Sequence, residues 1–109
     1  MRQGINYRNA TDAVGNPTGG SVGGTGIEIN WQSGPLGRGL ERQEPNGAFV
    51  EDVIMACIQR IRFYQLAAEG RFSCRQNSLA ITKLEEAPHW LDDRTNEREA
   101  REVEGTHVP

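Results

Sequence analysis

Glycine is distributed very unevenly along this 109-residue chain, and this limits what each part of the chain can fold into. Eleven of the 13 glycines lie in the first 47 residues, whereas no glycine or proline interrupts residues 48–69. Glycine is unfavourable inside helices and common in turns, so the first part is predicted to be turn-rich and the second helical. We therefore expect one α+β domain over residues 1–109, with a Gly-rich β part at 1–45, a helical hairpin at 46–101 and a tail at 102–109.

The β part contains one segment with a clear strand pattern. Apolar side chains occupy every second position between Gly26 and Trp31. Because successive side chains of a strand point to opposite faces, this alternation predicts a strand with one buried face. Its apolar members are Ile27, Ile29 and Trp31. The antiparallel partner could be residues 5–7 or residues 37–41, and the pattern does not choose between them.

A glycine-rich run, residues 19–26, leads into this strand. A phosphate-binding loop would end in Gly-Lys-Ser/Thr and lead into a helix, and this run does neither. We interpret it as a flexible connection in a hairpin, and residues 16–21 as a loop. The β part is therefore predicted to form a short antiparallel sheet.

The helical part begins with a long apolar segment, predicted to form helix one over residues 47–68. Asn46 is a suitable N-cap, and Glu51 and Asp52 lie in the first turns, where the helix dipole favours acidic groups. The main apolar stripe follows three- and four-residue steps: Val50, Ile54, Cys57, Ile61 and Tyr64. Further apolar side chains widen this stripe, so we expect helix one to be buried on more than one side.

Helix two is predicted over residues 74–101, antiparallel to helix one. Ser73, with Gln76 three residues later, matches a capping box. One stripe of this helix is apolar in the middle and polar at both ends: Asn77, Ala80, Leu84, Ala87, Leu91, Arg94 and Arg98. Because proline has no backbone N–H to donate, Pro88 predicts a kink near Ala87.

The charge balance argues against several classes of function. Lys and Arg total 12 against 15 Asp and Glu, a net charge of -3 with an isoelectric point near 5.4. No sequence-wide positive field is therefore available to hold DNA or an anionic membrane. No apolar run approaches the roughly 18 residues of a membrane helix, so we expect neither a signal peptide nor a membrane span, and a cytoplasmic location.

No residue pattern indicates catalysis, a metal site or a cofactor. Cys57 and Cys74 form no closely spaced pair for zinc or redox chemistry, and we interpret both thiols as packing residues. The two histidines add no ligand spacing. The adjacent carboxylates of Glu85 and Glu86 would point about 100° apart on a helix, and no nucleophile motif is present. We predict that the protein is not an enzyme.

Arginines are the best candidates for binding an anion. Arg94, Arg98 and Arg101 recur at four and three residues near the end of helix two, and Arg38 lies between two glycines that shield it little. Such a group could clamp phosphates. The same arginines could instead pair with neighbouring acidic residues and complement the C-terminus of the helix.

Residues 72–87, followed by His89, Trp90 and Leu91, resemble the helical hairpin shared by phage anti-Thoeris and anti-CBASS proteins. The most specific portions are the Leu-Glu-Glu-Ala and Trp-Leu runs. Residues 26–39 resemble the β-rich N-terminal part of the anti-Thoeris branch, which the anti-CBASS branch lacks. The resemblance covers about residues 25–101 and indicates the anti-Thoeris branch.

This resemblance implies a non-enzymatic sponge that sequesters immune signals in the cytoplasm of the infected bacterial host. The signals are cyclic ADP-ribose isomers made by TIR-domain proteins and, in some members, cyclic di- or trinucleotides made by cGAS-like enzymes. The resemblance further implies that five residues bind the ligand and that no cofactor is needed: Arg38, Phe63, Asn77, Arg94 and Arg98. Phe63 could instead pack in a core, or its neighbour Tyr64 could take its place.

The spacing along helix two bears on how such a site is assembled. Asn77 and Arg94 are 17 residues apart, on the order of 25 Å along a helix, so one small nucleotide cannot touch both from one chain. A shared site needs two chains, which predicts a symmetric homodimer, alone or within a larger assembly such as a hexamer. The alternative is an oligomeric helical-hairpin protein, structural or protein-binding, whose arginines form salt bridges between subunits.

Overall fold

A computed structural model of the chain describes residues 4–101 and 106–107. Its elements are three strands, β1 (Ile5–Thr11), β2 (Pro17–Gly24) and β3 (Ile27–Trp31), a 3-10 turn (Gly39–Glu41), and two helices, α1 (Val50–Gly70) and α2 (Arg75–Ala100). The predicted α+β class, with an antiparallel sheet followed by two helices, is confirmed. The predicted tail at 102–109 lies outside the described residues except for Thr106 and His107.

Two compact units make up the chain, and each is described by itself. The first, the sheet unit, holds the described residues up to Phe49 together with those from Arg98 onward. The second, the hairpin unit, spans Val50–Glu97.

Most of the glycine-rich segment belongs to β2, the central strand of the sheet unit. The predicted loop at 16–21 and the predicted connection at 19–24 are therefore wrong, and of this segment only residues 25–26 form a hairpin turn. The strand order is β1-β2-β3, and both pairings are antiparallel. A Cβ at Gly20 would collide with the carbonyl oxygen of Arg8, and one at Gly24 would lie 2.8 Å from the carbonyl oxygen of Gly4. These glycines allow a close approach of neighbouring backbone, a role that composition does not distinguish from turn formation.

The neighbour of β3 is β2, so neither partner considered from the sequence is right. Residues 5–7 belong to β1, which pairs with β2, and residues 37–41 contain the 3-10 turn. The alternation along β3 is confirmed, because its apolar side chains are half-buried and the polar ones exposed. Val22 pairs with Tyr7 on one side and with Ile29 on the other, so these three side chains share one face of the sheet.

Asn46 does not cap a helix, contrary to the prediction, because α1 begins four residues later at Val50. Its side chain accepts a hydrogen bond from the backbone N–H of Ser33 (2.8 Å) and donates one to the Ser33 carbonyl (3.1 Å). Its own N–H donates to the side-chain oxygen of Gln32 (2.8 Å). Ala48 continues this pairing with an N–H donated to the carbonyl of Asn30 (2.8 Å). The segment before α1 is therefore tied to the end of β3.

The buried side of α1 differs from the predicted stripe. Ile58 is only 1% exposed, and it is the only side chain classed as buried among the described residues. The half-buried residues on the same side of the helix are Ile54, Ile61 and Gln65. By contrast, Val50, Cys57 and Tyr64 are exposed, so the predicted stripe is wrong at these three positions. Apolar residues occur on several sides of this helix, and periodicity alone does not select the side that packs.

The end of α1 is irregular. Ala67 leaves helical geometry (φ −60°, ψ 144°), and Ala68 and Glu69 adopt left-handed angles with φ of 50° and 59°. The regular part of α1 therefore ends at Leu66, close to the predicted end at residue 68.

The helix α2 runs as one element through Pro88. Its predicted stripe is confirmed in part, because every member except Arg94 is half-buried. The predicted capping box is wrong, because α2 begins at Arg75 and Cys74 takes the N-cap position. Gln65 of α1 serves the start of α2 instead, since its side-chain oxygen accepts the N–H of Cys74 at 2.9 Å.

Two connections between the helices establish the antiparallel hairpin. Gln65, near the end of α1, contacts Cys74 and Ser78 at the start of α2. Arg62, one turn earlier in α1, pairs with Glu85, further along α2. The contacts move forward along α2 as they move back along α1, which is the order expected of antiparallel neighbours.

Candidate functional site

Asn77 lies in the first turn of α2 and belongs to a polar cluster at the closed end of the hairpin. Its side-chain NH2 donates to the side-chain oxygen of Gln65 at 3.2 Å. The Gln65 side-chain NH2 in turn donates to the Ser78 hydroxyl (2.8 Å) and to the carbonyl of Cys74 (3.1 Å). Asn77 is half-buried, so its orientation is set by the hairpin. Its side-chain oxygen, Oδ1, makes no hydrogen bond within the described part of the chain and can accept one from a ligand.

Arg94 lies near the other end of α2 and is exposed. Since α2 is continuous from Arg75 to Ala100, the 17-residue spacing places Asn77 and Arg94 on the order of 25 Å apart along one helix. Within one chain, these two residues therefore cannot meet on a single small molecule. Arg94 offers an accessible guanidinium group, which suits an anionic ligand.

Arg98 lies one turn beyond Arg94 and is half-buried. Its guanidinium Nη2 donates to the carbonyl oxygen of Thr106 at 2.8 Å. The side chain thus has a structural role within the sheet unit, holding the described part of the C-terminal segment to the end of α2. Sequence reasoning did not anticipate this contact, because it depends on the path of the chain after the helix.

Arg38 also belongs to the sheet unit, where it is exposed and precedes the 3-10 turn. Its carbonyl oxygen accepts the N–H of Glu41 at 3.1 Å. The flanking Gly37 and Gly39 have positive φ angles of 87° and 60°, which non-glycine residues rarely adopt. The backbone around Arg38 is therefore shaped by glycine, as its Gly-Arg-Gly setting indicated.

Phe63 projects from α1 and is 53% exposed, so the alternative of core packing does not hold within this chain. The guanidinium of Arg60 lies 5.0 Å from the centroids of both the Phe63 and Tyr64 rings. The two rings meet edge to face with centroids 5.7 Å apart. From the sequence, Tyr64 was assigned to the apolar stripe of helix one and named as a substitute for Phe63, and Arg60 was missed. The i, i+3, i+4 spacing of the three residues was the signal that could have identified them.

Two shallow cavities of about 350 and 320 Å³ lie on the sheet and share Ser21 and Gly23 in their linings. None of the five predicted ligand residues lines either cavity. The predicted residues occupy exposed helix and loop surfaces instead, with Asn77 and Arg98 half-buried.

The described residues offer neither a metal site nor a disulfide. Over residues 4–101 and 106–107, no group of three or more His, Cys, Asp or Glu side chains is arranged to hold a metal ion. Cys57 and Cys74 are both exposed and not disulfide-bonded, so the prediction that they pack in a core is wrong for this chain. No helix in the same residues has the length and apolar character needed to cross a membrane.

Comparison with known proteins identifies the hairpin and the adjoining strand. Residues 24–95 match the family model described as the Acb2/Tad1 hairpin domain. A curated relative, Thoeris anti-defense 1 of Bacillus phage SBSphiJ7, is 47% identical over 79 residues, which cover 72% of this chain and 51% of the relative. The chain thus spans about half the length of the curated relative it matches. The matched residues include the end of β2, all of β3 and α1, and most of α2. The chain therefore belongs to the Acb2/Tad1 hairpin domain family.

Proposed function

We propose that this protein is a phage anti-Thoeris protein that binds a cyclic nucleotide messenger and withholds it without degrading it. The observation that carries the proposal is the 47% identity with Thoeris anti-defense 1, which extends over most of the chain. The expected ligands are glycocyclic ADP-ribose isomers, with cyclic di- and trinucleotides as further candidates. The expected place of action is the cytoplasm of the infected bacterial host.

The five candidate residues supply the chemistry that such a ligand needs. Arg94 and Arg98 would bind the pyrophosphate through charge-assisted hydrogen bonds, with Arg38 as a further cation. The exposed ring of Phe63 would stack on a base, and Asn77 would bond a base or ribose edge. The exposure of Arg94 and Phe63 and the acceptor left on Asn77 support these roles.

A homo-oligomer is part of the proposal, because Asn77 and Arg94 lie too far apart on α2 to meet on one small ligand. In a symmetric dimer, the start of α2 from one protomer would approach the Arg94 end of the other, which gives two equivalent pockets. Exposed apolar side chains on both helices support further burial between subunits: Val50, Met55, Tyr64, Leu66, Leu79 and Trp90. A hexamer built from such dimers would bury more of them.

A second candidate is an oligomeric helical-hairpin protein that is structural or protein-binding and takes no small ligand. A specific observation favours it, since Asn77 and Arg98 both have structural hydrogen bonds, to Gln65 and to Thr106. Under this alternative, the arginines near the end of α2 would form salt bridges between subunits.

Calorimetric titration tests the proposal directly. The purified protein would be titrated with glycocyclic ADP-ribose isomers and with cyclic di- and trinucleotides, then heated, and the released molecule analysed by chromatography. Tight binding with recovery of intact ligand supports a sponge. Recovery of a cleaved product would indicate an enzyme, and no binding across the panel would favour the second candidate.

A pair of variants separates the two candidates. Arg94→Ala should weaken ligand binding by at least tenfold, about 1.4 kcal/mol, while the oligomer seen by size-exclusion chromatography stays intact. The matched control is Lys83→Ala, which removes one positive charge from an exposed position of the same helix. If Arg94→Ala instead dissociates the oligomer, the arginine serves the assembly and the second candidate gains support.

A further inference from the structure

Arg60, Phe63 and Tyr64 form a compact cluster on the exposed surface of α1, which we name the Arg60 cluster. The guanidinium of Arg60 lies 5.0 Å from the centroid of each ring. Its Nη2 also donates a hydrogen bond to the hydroxyl of Tyr64 at 3.2 Å. The guanidinium is therefore held by two rings and one hydroxyl, all on its own helix.

The helix itself produces this arrangement. Residues three and four positions apart lie side by side on a helical surface, so Arg60 reaches Phe63 and Tyr64 without any other element. Among the described residues, no carboxylate pairs with Arg60, and its charge is not cancelled locally. At these distances, the guanidinium of Arg60 makes a cation–π contact with each ring. This attraction favours one position of the guanidinium relative to the rings.

The Phe63 ring is held by the guanidinium of Arg60 and by its edge-to-face contact with the Tyr64 ring. About half of its side chain is exposed, and a freely rotating ring loses conformational entropy when a ligand immobilises it. A ring already held by a cation loses less, and the exposed part of the Phe63 side chain remains available to a flat ligand. Preorganisation of this kind raises affinity without adding a contact to the ligand.

We propose that Arg60 is a positioning residue of the ligand site, which holds Phe63 as a ready platform for the base of the nucleotide, and that the Tyr64 hydroxyl anchors Arg60 in this position. The inference rests on the proposed function, since it assumes that Phe63 stacks on a ligand base. It assigns roles to two residues on the basis of contacts within α1 alone.

The test uses Arg60→Gln and Tyr64→Phe in the full chain. Arg60→Gln removes the cation, and Tyr64→Phe removes the anchoring hydroxyl while the ring stays. Each should weaken binding of a glycocyclic ADP-ribose isomer, Arg60→Gln by about three- to tenfold and Tyr64→Phe by less. Arg60→Lys, which keeps a cation, should recover part of the loss.

The chain offers a closely matched control. The guanidinium of Arg71 lies 4.8 Å from the ring centroid of Phe72, and Phe72 is 53% exposed, as Phe63 is. Arg71→Gln therefore breaks a similar cation–π pair elsewhere in the hairpin unit and should leave the affinity within twofold of the unmodified protein.

Two readouts distinguish positioning from a general structural effect. The first is NMR of the ligand-free protein. In Arg60→Gln, the nuclear Overhauser effects between the side chain of residue 60 and the Phe63 ring should weaken, and the ring signals should shift. In Arg71→Gln, the Phe63 ring signals should stay unchanged. The second is binding of inorganic pyrophosphate, which has no base to stack on Phe63. Its affinity should be unchanged in Arg60→Gln.

The outcomes bear separately on the two proposals. Equal affinity of Arg60→Gln and the unmodified protein for the base-containing ligand would overturn the role of Arg60 and leave the sponge function standing. Loss of pyrophosphate binding in Arg60→Gln would show direct contact with phosphate and also overturn positioning. If the unmodified protein binds none of the cyclic nucleotides, the proposed function fails, and the inference fails with it.

Discussion

Arg62 and Glu85 join the two helices of the hairpin, with Nη2 of the arginine 2.6 Å from Oε2 of the glutamate. The side chains are 48% and 47% exposed, so water and salt weaken their attraction. The pair is nevertheless informative, because it links residues 23 positions apart in sequence and sets which turns of the two helices lie side by side.

The first prediction concerns this pair. Glu85→Gln should lower the free energy of unfolding by less than about 1 kcal/mol at low salt, as is typical of half-exposed ion pairs, and by much less in 1 M salt, where the Debye length is about 3 Å. Urea denaturation at two salt concentrations measures both values. Glu86→Gln is the control, since Glu86 pairs with Lys83 of its own helix at 3.7 Å. A loss that does not depend on salt would argue against an electrostatic contribution.

Gln65 should matter more than its exposed neighbours on α1. Gln65→Leu removes the acceptor for the N–H of Cys74 at the start of α2 and leaves Asn77 without its partner. We expect a loss of about 1–3 kcal/mol, because the polar groups of Cys74 and Asn77 lose their hydrogen bonds. Thermal or urea unfolding measures the loss. The matched variant Gln59→Leu, at an exposed position of the same helix, should change stability by no more than about 0.5 kcal/mol. Equal effects of the two substitutions would contradict the capping role.

Two glycines of β2 should respond in opposite ways to alanine. Gly20→Ala places a methyl group against the carbonyl of Arg8 and should prevent the pairing of β1 with β2. At Gly23, no atom lies within 4 Å of the position of a Cβ, and alanine there should be neutral or stabilise the sheet by up to about 1 kcal/mol. Circular dichroism and amide exchange in β1 report the two effects. An intact sheet in Gly20→Ala would show that the strands can separate enough to admit the methyl group.

Asp12 should make the turn between β1 and β2 sensitive to acid. The backbone N–H and side chain of Asn16 donate hydrogen bonds to its carboxylate at 3.0 and 3.1 Å, with a further bond from the N–H of Val14, and these bonds lower the pKa of Asp12 below 3.8. A lowered pKa in the folded state means that the stabilisation is present above about pH 4 and is lost as the pH falls through the folded value.

NMR titration of the Asp12 carboxyl carbon checks this prediction, together with exchange of the Val14 and Asn16 amide protons. The protection of these amides, taken relative to the intrinsic exchange rate at each pH, should fall as Asp12 is protonated. Asp12→Asn cannot titrate, so the protection of the Val14 and Asn16 amides in this variant should show no step at this pH. A pKa of Asp12 at or above 3.8 would contradict the hydrogen bonding at the turn.

Much of the fold follows from local patterns in the sequence. The alternation in β3 and the stripe of α2 could be predicted because each element has one dominant apolar face, and a single face leaves one way to pack. The candidate residues on α2 could be placed for the same reason, since a continuous helix converts sequence spacing into distance. The resemblance to the anti-Thoeris hairpin also rests on local runs of residues.

Tertiary structure decided the features that depend on contacts between distant residues. Gly20 and Gly24 serve a central strand because another backbone approaches them, and Asn46 pairs with Gln32 and Ser33 rather than capping a helix. Composition and capping preferences describe each residue with its near neighbours, so they do not distinguish these roles.

For the same reason, local patterns did not predict the buried side of α1 or the contact of Gln65 with the start of α2. α1 carries apolar residues on several sides, and only the tertiary structure selects Ile58 as its buried centre. Likewise, Gln65 reaches the start of α2 only once the chain has reversed direction. The sequence by itself determined that β3 is a strand and that α1 and α2 are helices, because local periodicity marks these three segments. Only the tertiary structure decided which faces and side chains meet, because those contacts form between segments far apart in the chain.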